Sequence, residues 1–187
     1  MNHMVQKRDN IVLDIIQLLI KQEYHLRGLA NALNQSHTTI SRKLTQLEND
    51  NVVDYKMQGK NKVFFLKKNI SSRSYILQSE LHKFNTLLNK YPKLLVILEQ
   101  VLNKIDEKLI VIFGSYAKFR AKKDSDIDIY IETKNRNIKK QIENIHSKIS
   151  VKIGLFDVKS NLIKEIIKNH VIVRGVEDFY EKKQVFK

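Results

Sequence analysis

Residues 109–132 read LIVIFGSYAKFRAKKDSDIDIYIE, and their reading decides the fold of the second half of the chain. Leu109 to Phe113 is a short apolar, β-branched run, the composition of a buried strand. Gly114 and Ser115 end it. Glycine permits positive φ and lets a backbone come close to a ligand. Ser115 falls where a helix would begin, so its hydroxyl and the free N–H groups behind it can hold a phosphate. Ser125-Asp126-Ile127-Asp128-Ile129-Tyr130-Ile131 then alternates strictly, which predicts a strand with one apolar face. Asp126 and Asp128 are two apart, so both carboxylates leave the same face. Adjacent carboxylates repel unless a positive charge lies between them. A hard divalent cation answers that need, and Mg²⁺ takes one or two carboxylates together with substrate phosphates.

Gly114-Ser115 followed by Asp126-x-Asp128 in a strand resembles the polymerase-beta-type nucleotidyltransferase superfamily, and its minimal members above all. The resemblance implies that Gly114, Ser115 and Ser125 contact the nucleotide triphosphate. It implies that Asp126 and Asp128 bind metal, with Asp126, Asp128 and Asp157 as the candidate catalytic acids. The family usually carries a third metal-binding carboxylate on a following strand, here Ile149 to Asp157 (ISVKIGLFD). The matching position falls near Lys152 to Gly154, where no acid stands. Either Asp157 serves from a shifted register or the site lacks a ligand, and Lys152 is placed to substitute for a cation. Phe119 is a second departure, standing where minimal members often have a small residue.

With 187 residues and 42% hydrophobic content, the chain can bury one or two modest cores. The absence of cysteine excludes disulfides and thiolate metal sites. No run approaches the roughly 20 apolar residues of a membrane helix, and MNHMVQKRDN lacks the apolar core of a signal peptide. A cytoplasmic protein with no membrane partner is expected. The formal net charge is +14. Residues 1–70 carry 11 basic and 6 acidic side chains, and residues 71–187 carry 23 and 14. Both parts are basic, which favours nucleic acid or nucleotide partners.

In residues 9–21, Ile11, Ile15, Leu18 and Leu19 recur at helical spacing. A second helix is predicted over His25–Leu33. A third runs from Ser36, its N-cap, to about Asp50, with Ile40, Leu44 and Leu47 inside. Its outer face offers His37, Thr38, Thr39, Ser41, Arg42, Lys43 and Gln46. Val52–Met57 and Lys62–Leu66 alternate as a hairpin about Gln58-Gly59-Lys60-Asn61. Over residues 8–68 this order resembles a winged helix-turn-helix DNA-binding domain, and TTISRKLTQLENDNVV resembles its recognition helix and wing entry. Short polar side chains at a helix N-terminus can enter the major groove. Arg42 and Lys43 can reach phosphates or guanine edges, and Lys60 and Lys62 lie at the wing tip.

Asn69 to Ser72 marks the break between domains. A helix to about Leu88 follows, with Leu77, Leu81, Phe84 and Leu88 on one seam. Pro92 opens another helix to about Ile105, with Leu95, Leu98 and Leu102 inside. A helix near residues 137–146, the Ile149 strand, a helix from Ser160 to about Lys168, a strand at Val171–Val173 and a final helix after Gly175 complete the chain.

The fold class expected is α/β of the α+β kind. It comprises a winged helix-turn-helix over 1–69, linking helices over 70–106, and a small mixed-sheet nucleotidyltransferase fold over 107–187. The favoured function is a DNA-binding transcriptional regulator whose second domain binds nucleotide or metal, or is catalytically impaired. The alternative is an active Mg²⁺-dependent nucleotidyltransferase, moving a nucleoside monophosphate from an NTP to a hydroxyl on protein, RNA or a small molecule. An antitoxin-like role is a third, because minimal members often pair with a small helical toxin. Expected partners are double-stranded DNA and a nucleotide, with a homodimer or a small helical toxin-like protein beside them.

Overall fold

The computed structural model describes residues 2–186, with side chains from Ile11 onward. The chain divides into two compact units, with the division between His82 and Lys83.

The first unit begins with α1 (Asn2–Leu19), whose buried line is Val12, Ile15, Ile16 and Leu19. A two-residue strand, β1 (Tyr24–His25), leads into α2 (Leu26–Leu33). Asn34 ends α2 in the left-handed region, as a helix C-terminus commonly requires. α3 (His37–Asn49) is capped by Ser36, whose hydroxyl accepts from Thr39 N at 3.1 Å. Ile40, Leu44 and Leu47 are its buried stripe, as their spacing predicts. β2 (Val53–Gln58) and β3 (Asn61–Leu66) form the hairpin, turning through Gly59 and Lys60 with Gly59 at φ +61°. The sheet has the order β1-β3-β2 and is antiparallel throughout. The β1 pairing has no counterpart in the sequence reading, because two residues are too short for periodicity to register.

α4 (Ile70–Lys90) opens with a dense set of contacts to the end of α3. Tyr75 donates its hydroxyl to Asp50 at 2.7 Å, Ser72 donates to Val52 O at 2.7 Å, and Asn69 donates to Asn51 O at 2.7 Å. Further along, Gln17 on α1 donates to Ser79 and Glu80, both fully buried. The seam therefore differs from the predicted one. Leu81 is 57% exposed, while Ile76, Ser79, Glu80 and Leu87 face inward.

The second unit is a mixed four-stranded sheet of order β6-β5-β4-β7. β4 (Ile110–Ile112) lies between β5 (Ile127–Glu132) and β7 (Val171–Arg174), antiparallel to both. β6 (Ile149–Gly154) pairs parallel to β5 at the edge. One face, with Ile110, Ile112, Ile129, Ile131, Val151 and Val171, packs in a core with α5 (Lys93–Lys104) and α7 (Asn137–Glu143). Leu94, Leu98 and Val101 are the inward residues of α5, and Leu95, expected inside, is 47% exposed. On the opposite face, Tyr130 meets Phe156, which in turn meets Phe179 of α9 (Val176–Lys182), and α8 (Asn161–Lys168) buries Ile163 and Ile166. Arg174 ties β7 to the end of α5. Its guanidinium donates to Ile105 O at 2.7 Å and Leu102 O at 3.1 Å, satisfying carbonyls a helix end leaves free.

Candidate functional site

Phe113 leaves β4 by donating its N–H to Asp128 O at 3.0 Å, and Gly114 immediately opens the short helix α6 (Gly114–Ala117). Gly114 has φ +67°. A Cβ there would overlap the Asp128 carboxylate, lying 3.0 Å from its Cγ and closer still to Oδ2. The missing side chain is what lets Asp128 sit against the Gly-Ser turn. Asp126 is exposed, one residue before β5, and Asp128 is half-buried. Burial first, then the charges of Asp126 and Glu165, hold the Asp128 carboxyl above its ordinary range. Lys152 and Lys118 pull it back down. Gly114, Ser115, Asp126 and Asp128 are thus gathered at one corner.

Ser125 belongs to the turn that precedes this corner. Its hydroxyl accepts from Lys122 N at 2.8 Å, and its N–H donates to Lys122 O at 3.1 Å, so it closes the loop that presents Asp126. Asp157 is not brought to the corner. β5 and β6 run parallel, with Asp128 opposite Ser150 and Glu132 opposite Gly154. Asp157 follows the far end of β6, in a turn where its carboxylate accepts from Lys159 N at 2.9 Å. The reading of Asp157 from a shifted register is corrected on that ground, since the start and the end of a six-residue strand are roughly 17 Å apart.

The partners of Asp128 and Tyr130 on β6 are Ser150 and Lys152, which share their face in a parallel pair. The donor set at the corner is therefore two carboxylates with an ammonium alongside. Among the described residues, no three His, Cys, Asp or Glu side chains are grouped so as to hold a metal ion. The set does not fit a cation bound by a full ring of protein carboxylates. Phe119 turns the chain after α6 with φ +54°, and its carbonyl accepts from Lys90 Nζ at 2.7 Å.

In the first unit, α3 turns Thr38, Arg42 and Gln46 away from the core, all exposed, with His37 and Ser41 also in solvent. Thr39 is drawn back to Ser36, the two hydroxyls lying 2.9 Å apart, and Lys43 donates to Gln46 at 3.3 Å. Beside this face runs a groove of about 490 Å³ between α2, α3 and the hairpin tip. Its walls include Ser41, Thr45 and Glu48 from α3, Lys60, Asn61 and Lys62 from the tip, and His25 and Arg27 from the start of α2. Lys62 lies over the Tyr55 ring at 3.6 Å, which holds it upright on the wing. Arg27 was not singled out in the sequence, and His25 entered only as the start of the second helix. Only the β1 pairing, with His25 opposite Val63, brings the start of α2 beside the wing.

A winged helix-turn-helix followed by a nucleotidyltransferase-like fold is the class these two units define. Residues 9–55 match the family described as bacterial regulatory protein, arsR family, and residues 93–178 match the family described as polymerase beta, nucleotidyltransferase. No curated protein matches the chain. Among solved structures, the chain is similar to the adhesin competence repressor AdcR of Streptococcus pyogenes. The identity is 22%, the match covers 50% of this chain and 76% of that one, and the TM-score is 0.34. It is also similar to a toxin–antitoxin structure with AMP-PNP, at 16% identity, 56% and 79% coverage, and a TM-score of 0.33. No helix among the described residues is long and apolar enough to cross a membrane.

Proposed function

We propose that this chain is a transcriptional regulator that binds double-stranded DNA through α3 and the wing, in the cytoplasm, and that its nucleotidyltransferase-like unit takes up a nucleotide without transferring it. The observation that carries the first half is the flank of α3. Arg42 stands outward, and the groove beside it is lined by Arg27, Lys60 and Lys62 against a single acid, Glu48. Exposed polar side chains on a helix suit base edges, and a basic channel next to them suits the phosphate backbone. Selection from a random duplex pool tests this. The chain is expected to enrich a defined sequence, and the Arg42→Ala, Lys43→Ala double variant is expected to lose that enrichment. Equal enrichment by both would overturn the reading.

The second half rests on the acids at the Gly114–Ser115 turn. Gly114, Ser115 and the outer lysines supply an anion-holding corner, while Lys152 stands near the position where the resemblance expects a third carboxylate. Pyrophosphate release from NTPs in Mg²⁺ is expected at the level of the Asp128→Ala variant. Release well above that level would favour the competing reading, an active transferase acting on a hydroxyl of protein, RNA or a small molecule, which the juxtaposition of Gly114 with Asp128 supports.

A further inference from the structure

The acidic corner of the second unit sets two lysines, Lys118 and Lys152, against Asp126, Asp128 and Glu165. Asp128 pairs across to Ser150, and the next same-face position of β6 is Lys152. Tyr130, fully buried and opposite Lys152, donates its hydroxyl to Gly154 O at 2.9 Å, which fastens β6 to β5 at this register. Lys152 is exposed and is tied to no carboxylate among the described residues. Lys118 stands at the end of α6, its N–H donating to Gly114 O at 3.2 Å, and its ammonium lies 3.5 Å from Glu165 on α8. Both lysines act on Asp128 against Asp126 and Glu165.

We propose that the corner binds the phosphates of a nucleotide without a divalent cation, with the Lys152 ammonium carrying the charge that a metal ion would otherwise supply. This rests on the reading of the corner as a nucleotide site. An ammonium is a compact point charge that suits phosphate oxygens. A divalent cation placed beside that ammonium would be repelled by it. A triphosphate brought to Asp126 and Asp128 alone would be repelled in turn, and Lys152 offsets part of that repulsion.

The test is equilibrium binding of the fluorescent nucleotide mant-ATP to the full chain, in EDTA and in millimolar Mg²⁺. The dissociation constants in the two buffers are expected to agree within about threefold. Lys152→Ala is expected to weaken binding in EDTA by about tenfold, the loss of one charge-assisted phosphate contact. Lys152→Glu is expected to bind only when Mg²⁺ is present. Lys152 is exposed, so neither change threatens folding, and circular dichroism verifies that. Binding by the parent chain only in Mg²⁺ would overturn the inference and leave the nucleotide site standing. No binding in either buffer would overturn both. Unchanged binding by Lys152→Ala would remove the role given to this residue.

Discussion

Gly114 and Asp128 share one volume: the Asp128 carboxylate fills the space where a side chain at position 114 would project. Gly114→Ala therefore suffers twice, from an alanine at φ +67° and from overlap with the carboxylate. A cost of about 1–3 kcal/mol in denaturant unfolding is expected. In an Asp128→Ala background the overlap is gone and only the backbone strain remains, so the cost should fall by about 0.5–2 kcal/mol. Additive effects of the two changes would show that the carboxylate does not press on Gly114.

Tyr75 bonds Asp50 across the start of α4, and its hydroxyl is pushed up to about 12 by burial, then by that bond and the Asp50 charge. The folded chain keeps this proton above pH 10, where the unfolded chain gives it up. The contribution is complete below pH 10 and is lost as pH rises from 10 toward 12. Tyr75→Phe should cost about 1 kcal/mol at neutral pH. The gap between parent and variant should narrow through that alkaline window in urea melts taken pH by pH. A gap that stays constant to pH 12 would contradict the bond.

Arg174 holds the carbonyls at the end of α5 with a planar fork, a geometry lysine cannot copy. Arg174→Met leaves those carbonyls unpaired in a partly buried place and should cost about 2–4 kcal/mol. Arg174→Lys should recover less than half of it. Thermal melts of the two variants decide the matter.

Arg27 and Lys60 line one groove. If both meet phosphates, each alanine change should weaken binding of all duplexes alike and lower the salt slope by about 1. Arg42→Ala should instead relax preference at one or two base pairs, at about 1–3 kcal/mol. Binding measured on matched and mismatched duplexes at several salt concentrations separates the two kinds of contact.

Where one physical signal dominated, the elements were legible in the sequence. Ser36 before Ile40, Leu44 and Leu47 predicted α3 to within a residue, because cap and stripe point to the same boundary. The alternation running to Ile131 likewise placed Asp128 on its strand, with Asp126 one residue before it. The seam of α5 slipped by one residue because KLLVILEQVL is apolar on nearly every side, so Leu94 and Leu95 were equivalent candidates. On α4 the inward residues include Ser79 and Glu80, which no hydrophobic pattern can find. Their partner, Gln17, lies 62 positions away from Ser79. The same limit hid Arg27, whose place in one groove with Lys60 depends on strand pairing. It also left Asp157 open until the parallel register placed it past the wrong end of β6.

The central claim is that α3 and the wing read duplex DNA, and the most direct measurement is the affinity of the full chain for its selected duplex across a range of salt. The account predicts log K falling linearly with log salt at a slope near −0.9 for each phosphate neutralised, about −4 or steeper in all. It predicts a shallower slope in the Arg27→Ala, Lys60→Ala variant. An affinity indifferent to salt, or a slope the two changes leave untouched, would contradict it.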